Sequence, residues 1–187
     1  MKKQFTVTLV LLFISLVNFA KARTELIKAI KHDNLAQVQE ALKKSTLATQ
    51  DQKEKDEALL QAALYTDNPA ILKVLLDAGA DLQAHDASGM TPLHQAAAYE
   101  HNQIIKYLLE KGALVNIQDK QGHTPLFIAA AGGNVDSVKL LLSKGADKNI
   151  KDVQGKTVLT VIQEVYKSPE FSQATKSSFP EIIKLLK

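Results

Sequence analysis

A chain of 187 residues with 45% hydrophobic and 23% charged side chains has the size and composition of one ordinary soluble globular domain. Its formal net charge of +3 comes from Lys2, Lys3 and Lys21, because the remaining residues include equal numbers of basic and acidic side chains; the body therefore lacks the concentrated basic face that nucleic-acid binding requires. The absence of cysteine excludes disulfides, thiolate metal sites and a cysteine-linked lipid.

The first 22 residues have the pattern of an export signal. Two lysines precede an apolar run from Phe5 to Ala20, and Ala20-Lys21-Ala22 matches an Ala-x-Ala cleavage site. The run is shorter than the about 17 to 25 residues of a spanning helix, which favours cleavage over a membrane anchor. The sequence therefore predicts a cleavable signal peptide at 1–22 and a mature chain of 23–187. The short di-lysine start indicates a bacterial protein, periplasmic or secreted, without membrane contact once the signal is removed.

A fragment of the form Asp-x-x-Gly-x-Thr begins at Asp86, at Asp119 and again at Asp152, so it recurs with a period of about 33 residues. A unit of that length cannot bury its apolar face alone, so it must stack against its neighbours and form an elongated solenoid. The period divides the domain 23–187 into successive units, which are a degenerate N-terminal cap at 24–52, repeats at 53–85, 86–118 and 119–151, and a C-terminal cap at 152–187.

The first two units depart from the pattern. The segment 24–52 fits two helices only weakly, with polar residues such as Gln37 and Lys44 where a buried helix would be apolar. A terminal unit needs a polar outer face, so this divergence is expected. The unit 53–85 keeps both apolar helical stretches but lacks the glycine and the Thr-Pro pair of the first turn.

The unit 86–118 shows the complete plan. Thr91 suits a helix N-cap, and Pro92 suits the first helical position, where its missing N–H costs nothing. The segment Gln103–Leu109 places its apolar residues on one stripe and predicts a second helix, and Gly112 ends that helix. The same plan recurs from Thr124 in the next unit.

The motif Thr91-Pro-Leu-His-Gln-Ala96 resembles the Thr-Pro-Leu-His-x-Ala signature of ankyrin repeats, and the Gly-Ala pairs at Gly79, Gly112 and Gly145 resemble the turn residues of that family. The resemblance covers residues 53–160 strongly and the ends weakly. It implies an all-α ankyrin-repeat solenoid of stacked helix-turn-helix units joined by short β-hairpin-like turns. It also implies that His94 hydrogen-bonds within and between those turns.

The last unit is irregular. Val158 replaces the proline of the motif and Thr160 replaces its histidine, and the second helix is expected only at Pro180–Leu186. The spacing indicates an insert of about a dozen residues, at about 167–179, whose serine, proline and lysine content is typical of a loop.

Motifs for chemistry are weak. Gly155-Lys156-Thr157 resembles the end of a phosphate-binding loop, but Ile150 stands where that loop needs glycine. The five histidines form no zinc-binding pair, and no Gly-x-Ser-x-Gly elbow occurs. The sequence therefore predicts no enzyme activity, no cofactor and no metal site.

The resemblance implies a concave binding face made by the hairpin tips and the inner helices. Residues of this face that the fold does not need are candidates for partner contact, with Tyr99 and Met90 as central anchors. The tips from Gln118 onward are polar and basic, and would complement an acidic patch on a partner. The predicted partner-binding residues are His85, Met90, Tyr99, Gln118, Lys120, Gln121, His123, Lys151, Gln154 and Lys156.

We therefore expect a non-catalytic exported protein, monomeric on its own, that binds a protein partner as an inhibitor, adaptor or immunity-type factor. A second hypothesis is a secreted effector that binds host proteins. A third is an enzyme or small-ligand protein whose site involves the insert at 167–179. Retention with a periplasmic marker would argue against the effector, and deletion of the insert without loss of activity would argue against the third.

Overall fold

The computed structural model describes residues 21, 23–45, 51–168 and 177–187. Nearly all of the predicted signal peptide, and most of the predicted insert at 167–179, lie outside these described residues. The described part of the chain forms ten helices, which are α1 (residues 23–31), α2 (Leu35–Ser45), α3 (Gln52–Tyr65), α4 (Pro69–Asp77), α5 (Pro92–Ala98), α6 (Asn102–Glu110), α7 (Pro125–Ala131), α8 (Val135–Ser143), α9 (Val158–Lys167) and α10 (Phe179–Leu186).

The helices form two parallel layers. The inner layer runs α3, α5, α7, α9 and the outer layer α2, α4, α6, α8, α10, each helix packing on the next in its own layer, and from α3 onward each inner helix also packs on its outer partner. Ala96 and Ala97 of α5, like Ala129 and Ala130 of α7, are fully buried between the layers, where small side chains let helices approach closely. The predicted all-α solenoid is confirmed. Among the described residues the sheet-like pairing is limited to an isolated bridge between Lys151 and Thr157.

The regular inner helices start as the sequence predicts. Pro92 and Pro125 are the first residues of α5 and α7, each preceded by a threonine in extended conformation. The hydroxyl oxygen of Thr124 accepts a hydrogen bond from the backbone N–H of Phe127 at 3.2 Å. These caps satisfy backbone donors that the first turn of a helix leaves unpaired.

Helix α3 is twice as long as α5, with 14 residues against seven. No Thr-Pro pair stops it on the N-terminal side, so it continues back to Asp51, whose carboxylate accepts a hydrogen bond from the backbone N–H of Lys53 at 3.1 Å. The first two turns of α3 therefore stand where the other repeats have a hairpin. The buried face of α3 is also shifted by one residue. The uniform period aligns Leu60 with Leu93, but in the structure Leu59, and not Leu60, is the residue that packs in the main core.

The hairpin tips are closed by aspartates. The carboxylate of Asp86 accepts hydrogen bonds from the backbone N–H groups of Ser88 and Met90, at 2.8 and 3.0 Å. The same arrangement recurs at Asp119 and Asp152. Each tip also binds the next: the N–H of Lys120 donates to the carbonyl oxygen of Ser88, and that of Val153 to Gln121, both at 3.0 Å. The three tips thus form one continuous edge.

The tip of each hairpin needs a glycine. Gly122 has a φ of +80°, a conformation that residues with a side chain rarely adopt. A Cβ atom at this position would lie 2.8 Å from the backbone nitrogen of Val153. Glycine therefore permits both the turn and the contact with the next tip.

The C-terminal cap closes the outer layer. Helix α10 begins at Phe179, one residue before the predicted start, and Phe179 is 2% exposed. The helix packs on α8 and α9, and the ammonium of Lys139 lies 2.6 Å from the carboxylate of Glu181. The cap is thus fixed by apolar burial, with a surface ion pair of small energetic weight.

Candidate functional site

The predicted binding face, which we call the concave side, combines the hairpin edge with the inner helices. Six of the predicted contact residues are exposed on the hairpin segments, namely His85, Gln118, Lys120, Gln121, Lys151 and Gln154. Met90, His123 and Lys156 are half-buried on the same segments. The structure therefore brings nine of the ten predicted residues to the hairpin edge.

Tyr99 lies apart from the other nine. It follows the last residue of α5, at the opposite end of that helix from the hairpin, and is 58% exposed. Seven helical residues separate the two ends by about 10 Å. Its ring centroid is 6.3 Å from that of His101, and Tyr65 is exposed in the same place at the end of α3. Tyr99 thus belongs to the far rim of the concave side.

Two predicted contact residues also hold the scaffold together. The side-chain amide of Gln118 donates hydrogen bonds to the carbonyl oxygens of Gly122 and Lys151, at 2.7 and 3.0 Å. The ring of His123 stacks on that of Phe127 at 4.2 Å between centroids, and its Nδ1 atom lies 3.5 Å from the carboxylate of Asp119. The prediction assumes that the fold does not need these side chains. This is wrong for Gln118 and His123, because both make tertiary contacts that the repeat pattern does not show. Their contact with a partner stays a prediction.

Lys156 is partly occupied as well. Its ammonium lies 2.5 Å from the carboxylate of Glu164 on α9. Lys120 and Lys151 are exposed, and no ion pair is seen for either within the part of the chain that the structure describes. The positive charge at the tips therefore comes mainly from these two lysines.

His94 has the structural role that the resemblance implies. It is fully buried, its Nδ1 atom accepts a hydrogen bond from the backbone N–H of Thr91 at 3.1 Å, and its Nε2 atom donates to the carbonyl oxygen of His123 at 3.0 Å. Burial holds the pKa of this imidazole below its usual value, although the hydrogen bond to His123 opposes the shift. The neutral ring therefore ties one hairpin to the next.

A cavity that the sequence did not predict lies beside α3. It has a volume of about 540 Å³ and is bounded by α3 on one side and by the first hairpin segment on the other. We call it the α3 groove and define it by Asp56, Glu57, Leu60, Leu64, Asp81, Ala84, His85 and Asp86. His85 is the one predicted contact residue that lines it. The extra turns of α3 create the wall, so the missing Thr-Pro pair was the signal that could have revealed it.

Two hydrogen bonds and an ion pair shape the rim of the α3 groove. The carboxylate of Asp56 accepts a hydrogen bond from the backbone N–H of Asp81 at 2.8 Å, which ties α3 to the hairpin segment. The carboxylate of Asp86 accepts one from the side-chain amide of Gln95 at 3.2 Å. Glu57 pairs with the guanidinium of Arg23 at 2.7 Å, and this hydrogen bond raises the pKa of Arg23.

Neither a metal site nor a membrane span is found among the described residues. Within the ranges given above, no cluster of three or more histidine, cysteine, aspartate or glutamate side chains could hold a metal ion. Within the same ranges, every helix is too short or too polar to cross a membrane.

Comparison with known proteins agrees with this architecture. The family model for ankyrin repeats, in three copies, matches residues 59–152, which is half of the chain and includes α4 to α8. None of the curated proteins compared with the chain matches it. Ankyrin repeats generally mediate protein–protein binding and are typically non-catalytic. The chain belongs to the ankyrin-repeat family.

Proposed function

We propose that this protein is a non-catalytic binding module, exported from the cell that makes it, which recognises a protein partner through its concave side. The observation that carries the proposal is the hairpin edge, where each tip is hydrogen-bonded to the next while Lys120, Gln121, Lys151 and Gln154 remain exposed. A preformed edge loses little conformational entropy on binding, which favours affinity.

Charge supports a particular kind of partner. Lys120 and Lys151 stand on neighbouring tips, and Lys156 lies beside them. An acidic patch on a protein partner complements this arrangement, and such complementarity increases association rate and specificity more than affinity. An inhibitor, an adaptor or an immunity-type factor would use the edge in this way.

The binding proposal is tested by charge reversal at the tips. The chain carrying Lys120→Glu and Lys151→Glu should lose a protein that the unaltered chain captures from its native cell-envelope fraction. The matched control carries Lys106→Glu and Lys184→Glu, which change the same charge on exposed positions of the outer helices α6 and α10. Equal capture by the two variants would refute a role for the hairpin edge.

Export is a separate part of the proposal and rests on the pattern of residues 1–22. Amino-terminal sequencing of the protein from its native cell should begin at Arg23, and the protein should fractionate with a periplasmic marker or appear in the medium. A chain that keeps Met1 and stays in the cytosol would contradict export without touching the binding proposal.

A further inference from the structure

The α3 groove has an apolar floor that lies outside the main hydrophobic cluster of the described residues. Leu60 is 9% exposed and Ala84 is 5% exposed, yet neither belongs to the main hydrophobic cluster of the described residues. Leu64, one helical turn after Leu60, is half-buried and also lies outside that cluster. Helix α3 therefore has two apolar faces, one in the core and one in the groove.

The rim of the α3 groove is acidic. Its lining includes four carboxylates, those of Asp56, Glu57, Asp81 and Asp86, and one ammonium, that of Lys53. Asp56 and Asp86 accept their hydrogen bonds from neutral backbone or amide donors, which leave the negative charge in place. The groove therefore combines apolar contact area with a net negative charge, because Arg23 pairs with Glu57 and Lys53 adds one positive charge while Asp56, Asp81 and Asp86 are not ion-paired among the described residues.

We propose that the α3 groove binds a basic segment of the protein partner, whose apolar side chains contact Leu60, Leu64 and Ala84 while lysine or arginine side chains pair with the carboxylates. This inference rests on the proposed function and names the chemistry of one part of the partner. Arg23 provides an internal precedent, because its guanidinium already binds the carboxylate of Glu57 at the edge of the groove.

The dimensions fit an extended peptide. The cavity of about 540 Å³ lies within the range of about 300 to 1,000 Å³ that is usual for ligand sites. The wall from Lys53 to Leu64 is about 16 Å long at 1.5 Å per helical residue. An extended chain that advances about 3.3 Å per residue would place about five residues along it.

The two ends of the concave side therefore carry opposite charges. The α3 groove at the N-terminal end of the array is acidic, and the tips around Lys120 and Lys151 at the other end are basic. A partner that carries a basic segment and an acidic patch at a fixed separation would bind in one orientation. Like charges would meet in the reversed orientation, which disfavours it.

The test uses the purified chain and a fluorescent peptide of about seven residues that alternates leucine with arginine, long enough to span the groove in extended form. Fluorescence anisotropy should show binding, and the amide NMR signals that shift should belong to the groove. A matched peptide with glutamate in place of arginine should bind at least about tenfold more weakly, the equivalent of 1.4 kcal/mol.

The groove variant carries Asp56→Asn, Glu57→Gln and Asp81→Asn, which remove three charges but keep the acceptor oxygens. It should weaken binding of the arginine peptide about tenfold. The control carries Asp77→Asn, Glu110→Gln and Asp136→Asn, three exposed acids of the outer helices, and should change binding less than about twofold. If the groove variant does not fold, as judged by circular dichroism, Leu64→Ser alone should give the same direction of change.

The inference fails if the arginine and glutamate peptides bind equally, if the groove and control variants behave alike, or if the shifted signals lie only at the hairpin tips. Such a failure leaves the proposed function standing when Lys120→Glu with Lys151→Glu still abolishes capture of a partner. The opposite outcome is also possible. If the groove binds the arginine peptide and the Lys120→Glu, Lys151→Glu variant still captures the partner, the inference about the groove is supported and the proposed role of the hairpin edge is refuted.

Discussion

The Nε2 atom of His94 lies 3.0 Å from the backbone carbonyl oxygen of His123, in the hairpin of the next repeat. The other ring nitrogen of His94 accepts the N–H of Thr91, so one neutral imidazole joins two units of the array. A proton on Nδ1 would break this second contact and place a charge in a fully buried position.

The first prediction therefore concerns acid. Because burial lowers the pKa of His94, the unfolded chain takes up a proton in a pH range where the folded protein does not. The free energy of unfolding should fall as the pH falls from about 6.5, the usual histidine value, through the folded-state pKa, by about 1.4 kcal/mol for each unit of the pKa difference. Urea unfolding at pH 7.5 and pH 5.5 measures this change. The His94→Gln variant should show a smaller fall, and an equal fall would show that another group is responsible.

The second prediction concerns Glu54, whose carboxylate has the opposite behaviour. Glu54 is 9% exposed, its Oε1 atom has no hydrogen-bond partner among the described residues, and burial raises its pKa, although the positive charge of Arg23 opposes the shift. The folded protein holds this proton to higher pH than the unfolded chain, so Glu54 costs stability as the pH rises from about 4.5 through the folded-state pKa.

Replacement of Glu54 by glutamine should accordingly raise the free energy of unfolding at pH 7 by about 1 kcal/mol and change it little at pH 4. Denaturant unfolding at both values measures the difference. Glu110→Gln on the exposed face of α6 is the control and should stay within about 0.5 kcal/mol at both. A Glu54→Gln variant that is less stable at pH 7 would contradict the inference that the buried carboxylate costs stability when it is charged.

The third prediction compares two hairpin glycines. Gly122 and Gly155 have similar φ values of +80° and +77°, so a substitution by alanine carries the same backbone strain of about 1 to 2 kcal/mol at each. A Cβ atom at Gly122 would also meet the backbone of the next tip, whereas one at Gly155 would meet nothing within 4 Å. Gly122→Ala should therefore lose about 1 to 3 kcal/mol more than Gly155→Ala in chemical unfolding. Equal losses would mean that neighbouring tips do not pack closely.

The fourth prediction separates scaffold from surface within a single hairpin. His123→Glu removes the stacking on Phe127 and brings a second carboxylate close to that of Asp119, so it should lower the free energy of unfolding by about 1 kcal/mol or more. Gln121→Glu on the same tip alters an exposed side chain and should change it by less than about 0.5 kcal/mol. Thermal melting of both variants gives the comparison. Equal melting temperatures would show that His123 does not stabilise the fold.

The regular repeats could be predicted because the residues that start and end their helices act locally. Thr91-Pro92 marks the start of a helix and Gly112 follows the end of one. Both signals depend on the backbone preferences of these residues and not on tertiary contacts. The close approach of the helices follows from their alanines, whereas the role of His94 was expected only from the resemblance to ankyrin repeats. The inner and outer layers were therefore visible in the sequence.

The α3 groove was not predicted, for a related reason. The missing Thr-Pro pair does not show how far back α3 extends, and the uniform period of the later units aligns Leu60 with the core residue Leu93. The structure places Leu59 there instead, which turns Leu60 and Leu64 toward the cavity. Similarly, the stacking of His123 on Phe127 depends on tertiary geometry that the spacing does not show.

The extension of α3 gives the array two unlike ends, and this has a consequence for protein engineering. No hairpin precedes Asp86 among the described residues, so the chain of tip-to-tip hydrogen bonds starts there, and α3 occupies the place of a further tip. A designed unit as long as one regular repeat could be inserted after Gln118. It would lengthen the hairpin edge and leave the α3 groove unchanged. The reach of this scaffold and the chemistry of its first pocket can therefore be altered independently.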